Sequence, residues 1–158
     1  MPRTVASNTF EEKLLNNVHQ YGWHCNSVSG NDETPSFTYT IGLFASYGHP
    51  ELIIFGFGSK FAHSIVSYVA DAAAQGNPLN LSIPSPDLLE NYLCLFVQVP
   101  EPLAREYALS ANWFYQDESV PFYQIVWPSV AGHFPWHPEA DKDFVSSQPV
   151  LGVPPDSV

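Results

Sequence analysis

Basic residues are scarce in this chain. Lysine and arginine number 5 in 158 residues against 16 aspartates and glutamates, a formal net charge of −11. Such a field repels nucleic-acid phosphates and anionic lipid headgroups, so direct binding to nucleic acid or a membrane surface is not expected. Long apolar runs are also missing: no segment approaches the 18 or so residues a membrane helix needs. The start, MPRTVASNTFEEKLL, has no apolar stretch of secretory-signal length, so a cytoplasmic location is expected. Cysteine is limited to Cys25 and Cys94 with no C-x-x-C pair, which is too little for a zinc site. Both are expected to be reduced, packed thiols. No phosphate-cradling glycine loop, dinucleotide fingerprint or G-x-S-x-G elbow occurs, so no cofactor is implied.

What the chain does have is apolar and aromatic substance, 45% and 15% of residues. That is a globular composition, and the length suits one domain burying roughly two thirds of its unfolded surface. Fifteen prolines, crowded after residue 78, imply fixed loops in place of long helices. The expected organisation is a single domain over 1–158, with a core at about 10–127 and a Pro-rich segment, 128–158, wrapping it.

Thr9 and Glu12 have capping-box spacing ahead of Phe10, Leu14, Leu15 and Val18, which predicts a helix over about 10–20 stopped at Tyr21-Gly22. Residues 22–28 read as a strand with Trp23, Cys25 and Ser27 on one face. In 36–42, Phe37, Tyr39 and Ile41 alternate with Thr38, Thr40 and Gly42, a strand with one aromatic and one small polar face. ELIIFGF, 51–57, lacks alternation, as a central strand covered on both sides would. The link between these strands is too short for a parallel crossover, so they should pair antiparallel. A helix over about 59–75 is predicted, capped by Ser59, with Phe61, Ile65, Val69 and Ala72 inward and Gly76 as its stop. Residues 77–91 form a Pro-rich loop with room for a short strand. NYLCLFVQV (91–99) and FYQIVW (122–127) are further strands. Between them Leu103, Tyr107, Ala111 and Phe114 recur as one helical face. The sum is an α+β fold: a mostly antiparallel sheet of about five or six strands with about three helices packed on it.

Gly48-His49-Pro50-Glu51 is the first candidate for chemistry. Proline fixes the backbone between a His and a Glu at the mouth of a strand, where they could share a proton or ligand a metal. A plain turn, with Glu51 starting the strand on its solvent side, explains the same residues. GHFPWHPEADKD, 132–143, is the second. His133 and His137 have the four-residue spacing of a helical metal pair, but Pro135 and Pro138 exclude that helix. Asp141 and Asp143 lack hard-cation spacing, so no metal site is expected. Phe134, Pro135 and Trp136 read instead as an aromatic lid. His24 and Cys25, as strand neighbours, point to opposite faces, so His24 cannot activate the thiol. Tyr39 and Thr40 supply hydroxyls, and Gly42 permits close approach of a ligand or another backbone.

YGWHCNSV, FTYTIGL, GHPELIIFGF, FPWHPEAD and QPVLG, in that order, resemble a bacterial family designated domain of unknown function 4262, over about residues 18–152. The positions matching its pattern are Tyr39, Thr40, Gly42, Leu43, Gly48, His49, Pro50, Glu51, Trp136, Gln148, Pro149 and Gly152. His137 departs from it, since the late motif usually reads F-P-W-D. The resemblance implies boundaries and candidate positions but neither an activity nor a cofactor.

Two functions fit. One is a non-catalytic acidic binding protein, an inhibitor or immunity-type protein capturing a basic protein partner by electrostatic attraction. The other is an enzyme or small-ligand binder with a pocket between the GHPE turn and the FPWHPE segment. There His49 would be the acid–base group, Glu51 its orienting carboxylate, and Tyr39 or Thr40 a substrate hydrogen-bond donor, with Gly42 and Trp136 lining the site. Catalytic residues beyond these candidates, and the oligomeric state, are not readable from the sequence.

Overall fold

The computed structural model describes residues 1–155, so the last three residues of the expected 128–158 segment lie outside the described residues. The elements run α1 (Thr9–Tyr21), β1 (His24–Val28), β2 (Phe37–Ile41), α2 (Leu43–Tyr47), β3 (Glu51–Phe55), α3 (Ser59–Ala74), β4 (Ser85–Leu89), β5 (Tyr92–Gln98), α4 (Glu101–Tyr107), α5 (Leu109–Phe114), β6 (Phe122–Val126) and α6 (Lys142–Ser147). Six strands form one sheet in the order β1-β2-β3-β6-β5-β4. β3 and β6 pair parallel, and the other neighbouring pairs are antiparallel. The fold is the expected α+β class with a mostly antiparallel sheet. Six helices are described where about three were expected, because Ala108 splits one expected helix into α4 and α5, and α2 and α6 are too short to show a periodic stripe.

Strand periodicity sorts the core into two layers. Phe37, Tyr39 and Ile41 of β2 and Ile53 and Phe55 of β3 pack with Leu14 of α1 and with Ala104, Ala111 and Phe114 of α4 and α5. On the opposite face Leu52 and Ile54 of β3 meet Ala62, Ile65, Val66, Val69 and Ala70 of α3. β3 is therefore covered on both sides, as its unbroken apolar run requires. The short link places β2 and β3 antiparallel, with Phe37 opposite Phe55 and Tyr39 opposite Ile53.

Helix boundaries differ from expectation at three points, each for a local reason. The cap of α1 is Asn8, not Thr9: its side chain accepts from Glu11 N–H, while the Glu11 carboxylate accepts from Ser7 N–H. Thr9 and Glu12 therefore do not form the expected box; Asn8 and Glu11 make a related reciprocal pair whose second bond goes to Ser7, one residue before the cap. Ser59 does not cap α3. Gly58 is the cap and supplies no side-chain bond. The inward stripe of α3 is correspondingly rotated, leaving Phe61 48% exposed. Leu103, Tyr107, Ala111 and Phe114 do share a face, but Ala108, at φ −93° and ψ 63°, splits them between α4 and α5.

The segment after β6 is tied to the sheet by glutamines. Gln124 of β6 donates to Pro149 carbonyl (2.7 Å) and accepts from Leu151 N–H (2.9 Å). Gln148 takes Trp127 N–H (2.9 Å) and donates to the Trp127 carbonyl (2.8 Å), the pattern a strand neighbour would make. A Cβ on Gly152 would lie 2.0 Å from the Gln98 carbonyl oxygen, so only glycine fits there. Phe134 joins Leu95, Val97 and Val126, with Trp136 packed against them. Among the described residues no helix is long and apolar enough to cross a membrane.

Candidate functional site

Glu51 opens β3 and is fully buried, so it does not face solvent as a plain turn would have it. Its carboxylate accepts from the Thr40 hydroxyl (2.8 Å), from the backbone N–H groups of Gly42 (2.9 Å), Leu43 (3.2 Å) and Phe44 (3.2 Å), and from the Tyr115 hydroxyl. Burial pushes the carboxyl above its ordinary range, against the opposing pull of the bonds from Tyr115, Thr40, Phe44 and Gly42. Every neighbour bonded to it is a donor, an arrangement made for an ionised carboxylate. The Tyr115 phenol is pushed up by burial and by the charge of Glu51, so it remains a neutral donor.

This cluster explains why α2 exists at all. A five-residue helix has almost no internal hydrogen bonds, and its first N–H groups have no partner within it. Glu51 accepts from Leu43 and Phe44, and the Tyr115 hydroxyl accepts from Ala45 N–H (3.2 Å). Gly42, the cap, sits at φ 110°, where a side chain is strained. Thr40 serves twice: its oxygen also accepts from Leu52 N–H at 2.8 Å. Tyr39 does the same for α5, whose cap residue Ala108 offers no side-chain acceptor: its hydroxyl accepts from Ser110 N–H (3.0 Å) and from the Asn26 amide (2.9 Å). The Y-T-x-G-L and G-H-P-E-L segments thus meet through bonds between their own members. Thr40, Gly42 and Glu51 come together, whereas the Tyr39 hydroxyl is engaged apart from them by Asn26 and Ser110; all four residues are buried.

His49 is placed differently. Nδ1 lies 2.7 Å from the Pro50 carbonyl, which can only accept, so Nδ1 carries the proton. Nε2 is enclosed and has no partner, and burial holds the imidazole below its ordinary pKa, opposed by the Pro50 bond. Neither ring nitrogen bonds to Glu51, so that carboxylate does not orient the ring. The residue lines a cavity of about 360 Å³ with Tyr47, Pro50, Ala73, Pro78 and Leu81. That cavity and the cluster holding Trp136 share no residue.

His137 has a turn role: its Nδ1 accepts from Phe134 N–H at 3.0 Å. A carboxylate at that position could accept the same bond. The Cys25 and Cys94 thiols are free, and burial raises them to about 11 and about 12, far from a thiolate nucleophile. Among the described residues no group of three or more His, Cys, Asp or Glu side chains is placed to hold a metal ion.

The largest concavity described lies elsewhere, at about 760 Å³, and sequence reasoning missed it. Phe57, Phe61, Trp127 and Phe144 form its aromatic wall, and Glu90, Glu139 and Asp141 also line it, with no lysine or arginine among the lining residues. Ring centroids are 4.5 Å apart for Phe57–Trp127, 5.0 Å for Phe57–Phe61 and 5.3 Å for Trp127–Phe144. The Trp127 indole N–H is fixed on the Phe55 carbonyl (2.9 Å), so the ring's orientation is set from within the sheet. The one available signal was Phe61, an aromatic at a helix position that could be read as facing either way.

An acidic α+β protein with a buried carboxylate clasp and a separate aromatic concavity is the class these features define. The chain belongs to the family described as Domain of unknown function (DUF4262), whose model matches residues 17–141. The match takes in the clasp and stops before Gln148. No curated protein and no solved structure matches the chain.

Proposed function

We propose that this protein is a non-catalytic binding protein that captures a basic protein partner, in the manner of an inhibitor or immunity-type protein, in the cytoplasm. The observation that carries this reading is uncompensated acid. Of the five lysines and arginines in the sequence, Arg105 is engaged by Glu101 at 3.1 Å and Asp117 at 3.9 Å, and Arg3 is held on the Trp113 carbonyl at 2.7 Å. Sixteen acidic side chains are set against so few cations, and among the described residues Glu51 is the one acid that is fully buried. A surface of this kind raises the encounter rate with a positive partner and rejects negative ones. The free thiols of Cys25 and Cys94 are in keeping with a reducing compartment.

The enzyme reading finds less support. Of its proposed groups, Thr40 and Glu51 bond to each other and to backbone, and Tyr39 caps a helix. The test is calorimetric titration with an octapeptide of alternating arginine and leucine, beside a glutamate–leucine counterpart. Saturable binding of the basic peptide that weakens steeply as salt rises from 0.05 to 0.3 M is expected, because the screening length falls from about 14 to about 6 Å. Equal binding of both peptides, or affinity indifferent to salt, would sink the proposal.

A further inference from the structure

We infer that the aromatic concavity beside β6 is the anchoring site for that partner, and that it takes an arginine or lysine flanked by apolar residues. The inference rests on the capture reading above and adds where capture happens and which side chains are read. Two kinds of lining stand together in one cavity. Phe57, Phe61, Trp127 and Phe144 give a continuous aromatic surface, which is where the hydrophobic stem of a long cation packs and where a guanidinium stacks. Exposed Glu90, Glu139 and Asp141 supply the opposite charge at the same cavity. An anionic ligand would meet three carboxylates there and no lysine or arginine, with the His133 ring as the one basic side chain in the lining. A neutral apolar ligand would leave Glu90 and Glu139 unanswered, while Asp141 already accepts from Asp143 N–H as the cap of α6 (2.8 Å). The combination selects a cation with an apolar body.

The cavity is also held in shape at some cost. Phe57 has φ 62°, a left-handed conformation that is an outlier for a bulky side chain, and it follows Gly56 at φ 76°. A Cβ on Gly56 would come 2.9 Å from the Trp127 ring, so glycine is needed for the two aromatics to share this wall. Two successive left-handed residues turn the chain out of β3 and present the Phe57 ring to Trp127 at the cavity. Phe61, 48% exposed one turn into α3, extends the wall outward. At about 760 Å³ the space exceeds what one arginine side chain fills, which leaves room for a neighbouring apolar residue of the same segment.

The experiment titrates the arginine–leucine octapeptide into the full chain and three variants. Glu90→Lys/Glu139→Lys reverses charge at the cavity. Glu12→Lys/Glu106→Lys makes the same charge change on α1 and α4, across the sheet. Phe61→Ser removes an exposed ring from the wall. Circular dichroism confirms the fold of each. The expected result is a loss of about tenfold or more for the cavity pair, at most about threefold for the remote pair, and a clear loss for Phe61→Ser. Equal losses for the two charge pairs, or unchanged affinity in Phe61→Ser, overturn the cavity as the anchor while leaving electrostatic capture standing. Absence of binding to the unmodified protein at low salt overturns both.

Discussion

Glu51→Ala is the perturbation with the largest expected effect on the fold. It strips the acceptor from the N–H groups of Gly42, Leu43 and Phe44 and from the hydroxyls of Thr40 and Tyr115. The hydroxyls can turn elsewhere, but the three backbone donors cannot. A buried donor without a partner costs roughly 1–3 kcal/mol, so the Gly42 and Leu43 N–H groups put about 2–6 kcal/mol at stake, with a smaller share from the half-buried Phe44 bond, before the emptied volume is counted. Domains of this size are stable by about 5–15 kcal/mol, and the variant is therefore expected to be partly or wholly unfolded at 25 °C. Glu51→Gln is the milder change that keeps the test informative. Whichever oxygen becomes an amide, its N–H faces at least one backbone N–H, and a loss of about 1–3 kcal/mol is expected. Tyr115→Phe, which removes one donor to Glu51 and the acceptor of Ala45 N–H, should cost about as much. Urea unfolding followed by far-ultraviolet circular dichroism and tryptophan fluorescence reads all three. If Glu51→Gln unfolds within about 0.5 kcal/mol of the natural protein, the clasp is not what holds α2, and the reasoning fails.

Two further outcomes follow from the geometry. Gly152→Ala places a methyl where the Gln98 carbonyl already lies, so residues 148–152 should lift from β5 and β6; proteolytic cleavage after 141 at native conditions would report it, and an uncut variant would count against the packing described. Burial lowers the folded-state pKa of His49 and His24 below 6.5, so the unfolded chain binds more protons in the range just under that value. Their contribution to stability is present above pH 6.5 and is lost as the pH falls through the folded values, at up to about 1.4 kcal/mol per pH unit for each ring. His49→Asn, which keeps a donor for the Pro50 carbonyl, should remove part of that slope between pH 6.5 and 5; an identical slope in the variant would contradict the assignment.

Strand alternation made β2 legible, and the unbroken run of ELIIF made β3 legible as a strand covered twice, because both patterns are local. Glu51 was legible as a candidate but not as a clasp. Its donors come from 40–44 and from Tyr115, which is 64 residues away, and sequence spacing carries no record of that meeting. α2 went unseen for the same reason, since a single turn held by long-range acceptors shows no period of its own. The break at Ala108 leaves the apolar stripe intact, so periodicity passed over it. The aromatic concavity is assembled from four separate places, Phe57, Phe61, Trp127 and Phe144, and reading Phe61 as an inward residue hid its part in it. The distinctive family residues were visible from the start. The roles of Thr40, Gly42, Leu43 and Glu51 lie in the bonds they make to one another, which spacing does not record.

The carboxylate clasp builds the fold, and we assign binding to the aromatic, acid-lined cavity. Amide and side-chain NMR of the full chain during titration with the arginine–leucine octapeptide tests this most directly. The account predicts saturable shifts at Phe57, Phe61, Trp127 and Phe144 that fade with added salt, with Thr40, Gly42 and Leu43 unmoved. Shifts centred on Thr40, Gly42 and Leu43, with the cavity silent, would contradict it.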